Sequence, residues 1–282
     1  MSTQRAAAVV VTGASSGIGE ATARMLAGMQ FVVYAGVRDD AAARRLSESD
    51  SNIRPIRLEV TDPASIASAA ASVESSGLSL AGVINNAGIA VAGPLEYLPI
   101  AELRRQFEVN VIGPIAVTQA FLPQLKAAGG RVIMIGSISG RFAVPFIAPY
   151  SASKFALRAL TDALRIELTA QGVSVSLIEP GSVKTPIWSK GRATYTREWN
   201  ALPPGAAVYA NAMQAVVRQT ESEERSGIAP ERVGTAIVHA LTAPQPRAHY
   251  IVGTPARMAG ILVSLLPPRI HDRFIRKAMG LP

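Results

Sequence analysis

Short β-rich runs alternate with longer stretches of helical period along nearly the whole chain. Strands are predicted near Ala8–Val11, Phe31–Ala35, Ile53–Leu58, Gly82–Asn85, Arg131–Ile135, Ser174–Ile178 and His249–Val252. Several of them, among them VVV, RVIMIGS and VSVSLIEP, are almost continuously apolar. Strands covered by helices on both faces read this way. Regular βα alternation predicts an α/β fold, a doubly wound parallel sheet of about seven strands with right-handed crossovers. One helical run stands out after residue 148, with apolar side chains at Phe155, Leu157, Leu160, Leu164, Ile166 and Leu168, close to the period of a half-buried helix. Residues 186–230 break the βα rhythm just before the last strand. An insertion at the carboxyl end of a strand is where a substrate lid sits.

Composition sharpens this picture in three places. Apolar residues make up 49% and charged residues 17% of 282, enough for a large core and unlike a disordered chain. Cysteine is absent, which excludes disulfides and thiolate zinc sites, and His239, His249 and His271 lack ligand spacing, so no metal site is expected. The cysteine-free composition is compatible with a reducing, cytoplasmic setting. The start, MSTQRAAAVVVTGASSG, is too short for a signal peptide and reads as the first strand. No run reaches the roughly 18 apolar residues of a membrane span.

The net charge of +8 gathers toward the end, where Arg257, Arg269, Arg273, Arg276 and Lys277 face a single Asp272. Nucleic acid is not expected, because the basic groups lack interleaved exposed aromatics and no binding motif appears. Residues 256–282 read instead as a basic amphipathic extension of a catalytic domain over 1–255. It either lies on an anionic membrane through Ile270, Phe274 and Ile275, or covers the lid or a subunit interface.

The first strand runs into TGASSGIG at residues 12–19 and then into a helix. Glycines at 13, 17 and 19 permit a tight turn and close approach to a pyrophosphate, whose charge suits a helix N-terminus. The context of strand, turn and helix is what makes this glycine pattern a dinucleotide signal, and the sheet therefore Rossmann-type. After the second strand, Arg38 stands where an NAD site places an acid. With Ser15 or Ser16 it suits a 2′-phosphate, which favours NADP(H), while a shift onto Asp39 or Asp40 would admit NAD(H).

Tyr150 and Lys154, in YSASK, fall at i and i+4 and so on one helix face. An ammonium beside a phenol stabilises the phenolate, so Lys154 is expected to lower the Tyr150 pKa and make it a proton donor and acceptor.

Over residues 5–255 the chain resembles a short-chain dehydrogenase/reductase. The resemblance rests on TGASSGIG, NNAG at 85–88, Asn110 in EVNVIG, Ser137 in IGSISG, YSASK and PGSVKT at 180–185, in that order. It implies that Tyr150 exchanges the proton with the substrate oxygen, that Lys154 also binds the nicotinamide ribose, that Ser137 hydrogen-bonds the substrate, and that Asn110 anchors a relay water. Cofactor contacts are implied for Gly13, Ser15, Ser16, Gly17, Ile18 and Gly19, and for Asn86 and Gly88 in NNAG, with Asn85 tying strands together. Pro180 and Gly181 would shape the turn after the sixth strand, and Val183 and Thr185 would meet the nicotinamide amide and the phosphates. Glu59 departs from the family's usual Asp or Asn at the adenine, whereas Val60 can still pack there. Asp62 before a proline reads as a helix cap.

The chain is nearest in feel to the hydroxysteroid and retinol dehydrogenase branch. Val144, Phe146, Ile147, Ile187, Trp188, Tyr195, Trp199 and Leu202 would line a large apolar pocket, with Val144 and Trp188 against a lipophilic alcohol or ketone. By resemblance the protein is a homodimer or homotetramer, its interface formed by the helices around Asn110 and Tyr150–Leu168. Alternatives are a 3-oxoacyl thioester reductase, a non-catalytic NADP(H)-sensing protein, and a peripheral membrane scaffold acting through its tail.

Overall fold

The structure is a computed structural model that describes residues 7–191, 203–253 and 267–278. Seven parallel strands form one sheet in the order β3-β2-β1-β4-β5-β6-β7, with β1 at Ala8–Val11, β2 at Val32–Val37, β3 at Ile53–Arg57, β4 at Leu80–Asn85, β5 at Arg131–Ile135, β6 at Ser174–Pro180 and β7 at His249–Val252. All seven predicted strands are present. The boundaries differ by up to two residues: β2 starts after Phe31, which follows a left-handed turn at Gln30 (φ 67°), and β6 continues to Pro180, pairing with Val252.

Alternation along the strands builds two cores. Ala8 and Val10 face a cluster with Tyr34, Phe121, Met134 and Leu157. Val9 and Val11 face the opposite cluster, with Leu26, Leu46, Ile133 and Ile237. All four β1 residues are fully buried, so the strand has no polar face. Helices α1 (Gly17–Gly28) and α2 (Asp40–Ser49) follow β1 and β2, α3 (Pro63–Glu74) follows β3, and α4 (Ile100–Phe107) leads through a π-helical turn at Glu108–Ile112 into α5 (Gly113–Ala128). Helix α6 is Ala148–Thr169.

Strand order reverses between β1 and β4, which opens a crevice at their carboxyl ends. The described residues of the predicted insertion after β6 are largely helical: a short turn at 187–191, a 3-10 segment at Pro204–Tyr209 and α7 (Ala210–Ser226). Met213 and Val216 of α7 pack on Phe146 and Ile147 as a third, smaller cluster. Tyr195, Trp199 and Leu202 lie outside the described residues. Helix α8 (Pro230–Thr242) then leads to β7.

The tail forms α9 (Pro268–Ala278). Its Ile275 packs against the third cluster, so at least that apolar residue covers the α7 region. Ile270, by contrast, is exposed. Among the described residues no helix is long and apolar enough to cross a membrane.

Candidate active site

A cleft of about 610 Å³ runs from the glycine turn, past the ends of β4 and β5, to α7. Of the described residues singled out from the sequence for catalysis, cofactor or substrate, all line it except Gly19, Asn110 and Phe146. The glycine turn is built for close approach. Gly13 has φ 63°, and a Cβ there would meet Ala87 Cα at 2.8 Å. A Cβ on Gly19 would come within 2.4 Å of the Gly13 carbonyl. Ser16, at the N-cap of α1, makes no side-chain cap, so the first-turn N–H groups are left to the cleft. An anion fits this end on both counts.

Several side chains hold the turn rather than line it. Thr12 Oγ accepts from the Asn86 and Ala87 amides, both at 2.9 Å. The Asn86 side-chain amide donates to the Thr12 and Gly13 carbonyls at 2.9 and 3.1 Å, so it braces the turn. Arg45 donates to the Ser15 carbonyl at 2.7 Å. Neither Thr12 nor Arg45 was singled out from the sequence. Thr12 sits inside the glycine motif and was legible there, whereas Arg45 is one of many surface arginines and only the fold brings it to Ser15.

At the ribose-reading position, Arg38 reaches over the cleft and ion-pairs Glu59 at 3.3 Å, with 72% of its side chain exposed. Asp39 caps α2 by accepting from Ala42 N, which commits it to the helix and away from the ribose position. Glu59 also accepts from the Thr61 amide at 3.2 Å and hydroxyl at 3.0 Å. Burial pushes the Glu59 carboxyl up, but Thr61 and Arg38 outweigh that and hold it below the usual range. Asp62 caps α3 as expected. From across the cleft Lys190 Nζ reaches Ser16 Oγ at 3.4 Å, a second cation at the phosphate end that no sequence motif announced.

Tyr150, Lys154 and Ser137 meet at the floor. Tyr150 and Lys154 come from the first two turns of α6, and Ser137 from the end of β5. All three are buried. The Ser137 hydroxyl hydrogen-bonds the Tyr150 phenol. Lys154 Nζ donates to the Ile135 carbonyl at 2.8 Å and lies 5.7 Å from the Tyr150 ring centroid.

The expected lowering of the Tyr150 pKa is not what this geometry produces. Burial pushes the phenol up to about 12, with Ser137 opposing and the Glu223 charge adding to the rise. Burial also brings Lys154 down to about 8. The ammonium lies 5.7 Å from the ring centroid, and desolvation dominates at the phenol.

Asn110 sits on the π turn, a local widening that projects its side chain inward. It accepts from Ile89 N at 2.9 Å and donates to the Ile89 carbonyl and to Ser153 Oγ. Ser153 in turn donates to the Tyr150 carbonyl at 2.7 Å, which ties Asn110 to the first turn of α6. Asn85 donates to Thr118 Oγ at 2.9 Å, linking β4 to α5.

The remaining walls are mostly apolar. Trp188 stands edge-on to Tyr150, ring centroids 5.3 Å apart. Val144, Ile147 and Val216 continue the surface, and Gln219, Thr220 and Glu223 of α7 interrupt it.

The short chain dehydrogenase family model matches residues 7–196. An NADPH-dependent 3-dehydrocapnine reductase of Ornithobacterium rhinotracheale is 34% identical over 95% of both chains. Mouse retinol dehydrogenase 5 is 35% identical over 97% of this chain and 89% of its own length. A short chain dehydrogenase from Burkholderia cenocepacia, solved in complex with NADP, superposes with a TM-score of 0.73 at 27% identity, covering 95% of this chain and 97% of that one. A cleft floored by Tyr150, Lys154 and Ser137 at the switch point of this sheet, with a family match over most of its length, places this chain in the short chain dehydrogenase family of NAD(P)-dependent oxidoreductases.

Proposed function

We propose that the protein interconverts a secondary alcohol and a carbonyl on a lipophilic substrate, using NADP(H). The observation that carries the reading is the meeting of Tyr150, Ser137 and Lys154 at the inner end of the same cleft that begins at the glycine turn. Bound at the turn, the nicotinamide cofactor supplies or accepts the hydride. Tyr150 gives its proton to the carbonyl oxygen as charge develops there, or takes it from the alcohol. Ser137 donates to the same oxygen and stabilises that charge. Lys154, held by the Ile135 carbonyl, stands beside the phenol and replenishes its proton. An arriving ligand that draws the ammonium toward the phenol oxygen would lower the Tyr150 pKa from its high ligand-free value.

Arg38 and Lys190 support the choice of NADP(H), being two cations at the phosphate end. The NADPH-dependent relative and the NADP-bound neighbour agree with it. Nicotinamide fluorescence during titration with NADPH and NADH tests the reading. The protein should prefer NADPH by roughly tenfold or more, and Arg38→Asp should remove the preference, since a charge-assisted hydrogen bond contributes about 1.5–3 kcal/mol. Equal affinity for both in the unaltered protein would defeat the NADP(H) reading.

Trp188, Val144, Ile147 and Val216 support a lipophilic substrate, and residues 186–230, with α7 against Phe146 and Ile147, act as its lid. A homo-oligomer is supported by the apolar side chains that α6 and the π turn leave exposed, with Ile166 at 69% and Ile112 at 53%.

A further inference from the structure

One group in the cleft has no part in the chemistry above. Glu223, on the last turns of α7, is a half-buried carboxylate that, with Gln219 and Thr220, interrupts a wall of Trp188, Val144, Ile147 and Val216. Gln219 Nε2 donates to it at 3.2 Å, and the Ser182 hydroxyl donates from the turn after β6. No lysine, arginine or histidine among the described residues pairs with it. Both of its partners are neutral. Elsewhere in the fold the partly buried Glu59 and the buried Glu179 are each matched by an arginine. A carboxylate held by neutral donors inside an apolar cleft is costly unless a countercharge arrives from outside.

Glu223 lines the same cleft as Tyr150 and Ser137, so a group bound against it shares that cleft with the carbonyl whose oxygen Tyr150 and Ser137 hold. The Glu223 charge also adds to the rise of the Tyr150 phenol. We propose that Glu223, oriented by Gln219 and Ser182, recognises a protonated amine carried near the reacting carbonyl, so that the substrates are amphiphilic amino ketones and the amino alcohols they form. This rests on the oxidoreductase reading above and narrows its substrate class.

Two further features agree. Burial pushes the Glu223 carboxyl up despite its two hydrogen bonds, the rise expected of a half-buried acid with neutral partners only. A substrate ammonium there would also cancel the field that raises the Tyr150 phenol, which would couple recognition of the amine to proton transfer. Apolar walls beside the carboxylate suit the hydrocarbon part of such a molecule.

The test uses the full chain with NADPH and two probes, followed by NADPH absorbance. One is an aliphatic ketone bearing a primary amine on the carbon next to the carbonyl. The other is the same ketone with methyl in place of the amine. The unaltered protein should favour the amino ketone in kcat/KM by roughly tenfold or more. Glu223→Gln keeps an acceptor for Gln219 and Ser182 but removes the charge, and should bring that ratio toward unity. Glu223→Asp keeps the charge and should retain most of the preference. A medium-chain alkylamine should also inhibit reduction of the methyl ketone by the unaltered protein better than the matching alcohol, a measurement that needs no variant. The inference is overturned if the unaltered protein reduces the methyl ketone without favouring the amine, if the preference survives in Glu223→Gln, or if amine and alcohol inhibit alike. Failure to bind NADPH or to reduce either ketone would instead remove the oxidoreductase reading, and this one with it.

Discussion

Lys154 shows how the proposed catalytic role and stability pull apart at a single residue. Burial brings its pKa from 10.5 to about 8, which means the folded chain holds the charged form at a cost on the order of 3 kcal/mol near neutral pH. The sign follows from proton counting. Between about pH 8 and 10.5 the unfolded chain binds more protons than the folded one, so stability rises with pH across that window and the cost is gone above it. Replacing Lys154 with Met removes the charge and leaves the Ile135 carbonyl without its donor, a loss of about 1 kcal/mol. Calorimetry of ligand-free Lys154→Met at pH 7 should therefore show a Tm higher by roughly 4–8 °C, narrowing as pH approaches 10. Turnover should fall at the same time. A lower Tm at neutral pH would mean that the hydrogen bond to Ile135 outweighs the buried charge. The YSASK motif put Tyr150 and Lys154 on one face correctly, but the direction of the Tyr150 shift depends on how deeply Ala148–Thr169 is sunk, which no local spacing carries.

At the scale of elements, β6, β7, α6 and the turn after β5 are pinned by one charged knot. Glu179, 1% exposed on β6, receives two hydrogen bonds from Arg141, at 2.8 and 2.6 Å, and one contact from His249 Nδ1 at 3.0 Å. His249 Nε2 reaches Asp162 of α6 at 2.9 Å. Its hydrogen bond to Glu179 and the adjacent Asp162 raise the His249 pKa above 6.5, burial opposing. Burial pushes Glu179 and Asp162 up, and their basic partners more than offset it, so both lie below their usual values. The histidine contribution is thus complete below pH 6.5 and fades as pH rises through its folded pKa. The carboxylate contributions are complete above pH 4.5 and fade as pH falls. His249→Gln should lower Tm most between about pH 4.5 and 6.5 and progressively less above it. A difference in Tm that does not change from pH 5 to pH 9 would exclude a charged His249 from the knot. In the sequence, His249 is only a polar residue at a strand start, and its two partners, Glu179 and Asp162, are distant in the chain. The π turn at Glu108–Ile112 was equally hidden, because an extra residue in a helical turn leaves the apolar period almost unchanged.

For the whole molecule, the helical run after residue 148 turns out to have two apolar faces. Leu157 and Leu168 are buried on the sheet, while Phe155, Leu160 and Ile166 are 39%, 40% and 69% exposed. Ile112 is exposed at the head of the neighbouring helix. A second copy of the chain is the occupant we propose for that face, in line with the expected dimer or tetramer. Phe155→Glu with Ile166→Glu should convert the protein to a species of one chain, 29.6 kDa, by light scattering. An unaltered protein that is already a single chain would refute the assignment.

Strand positions, the parallel sheet, the glycine turn and the placing of Tyr150 and Lys154 on one helix face were all determined by the sequence alone. Each rests on local period or on short motifs whose spacing is a direct consequence of helix and strand geometry. Asp39 and Asp62 as helix caps belong to the same class, since a cap acts within three residues of itself. Tertiary structure decided what depends on distance through space. It turned Asn86 and Arg45 onto the glycine turn, set Lys190 beside Ser16, brought Glu223 into range of Tyr150, and folded Ile275 back onto Phe146 and Ile147. Burial and charge proximity are properties of the assembled chain, and desolvation at the cleft floor outweighs the attraction between neighbours that the sequence put four residues apart.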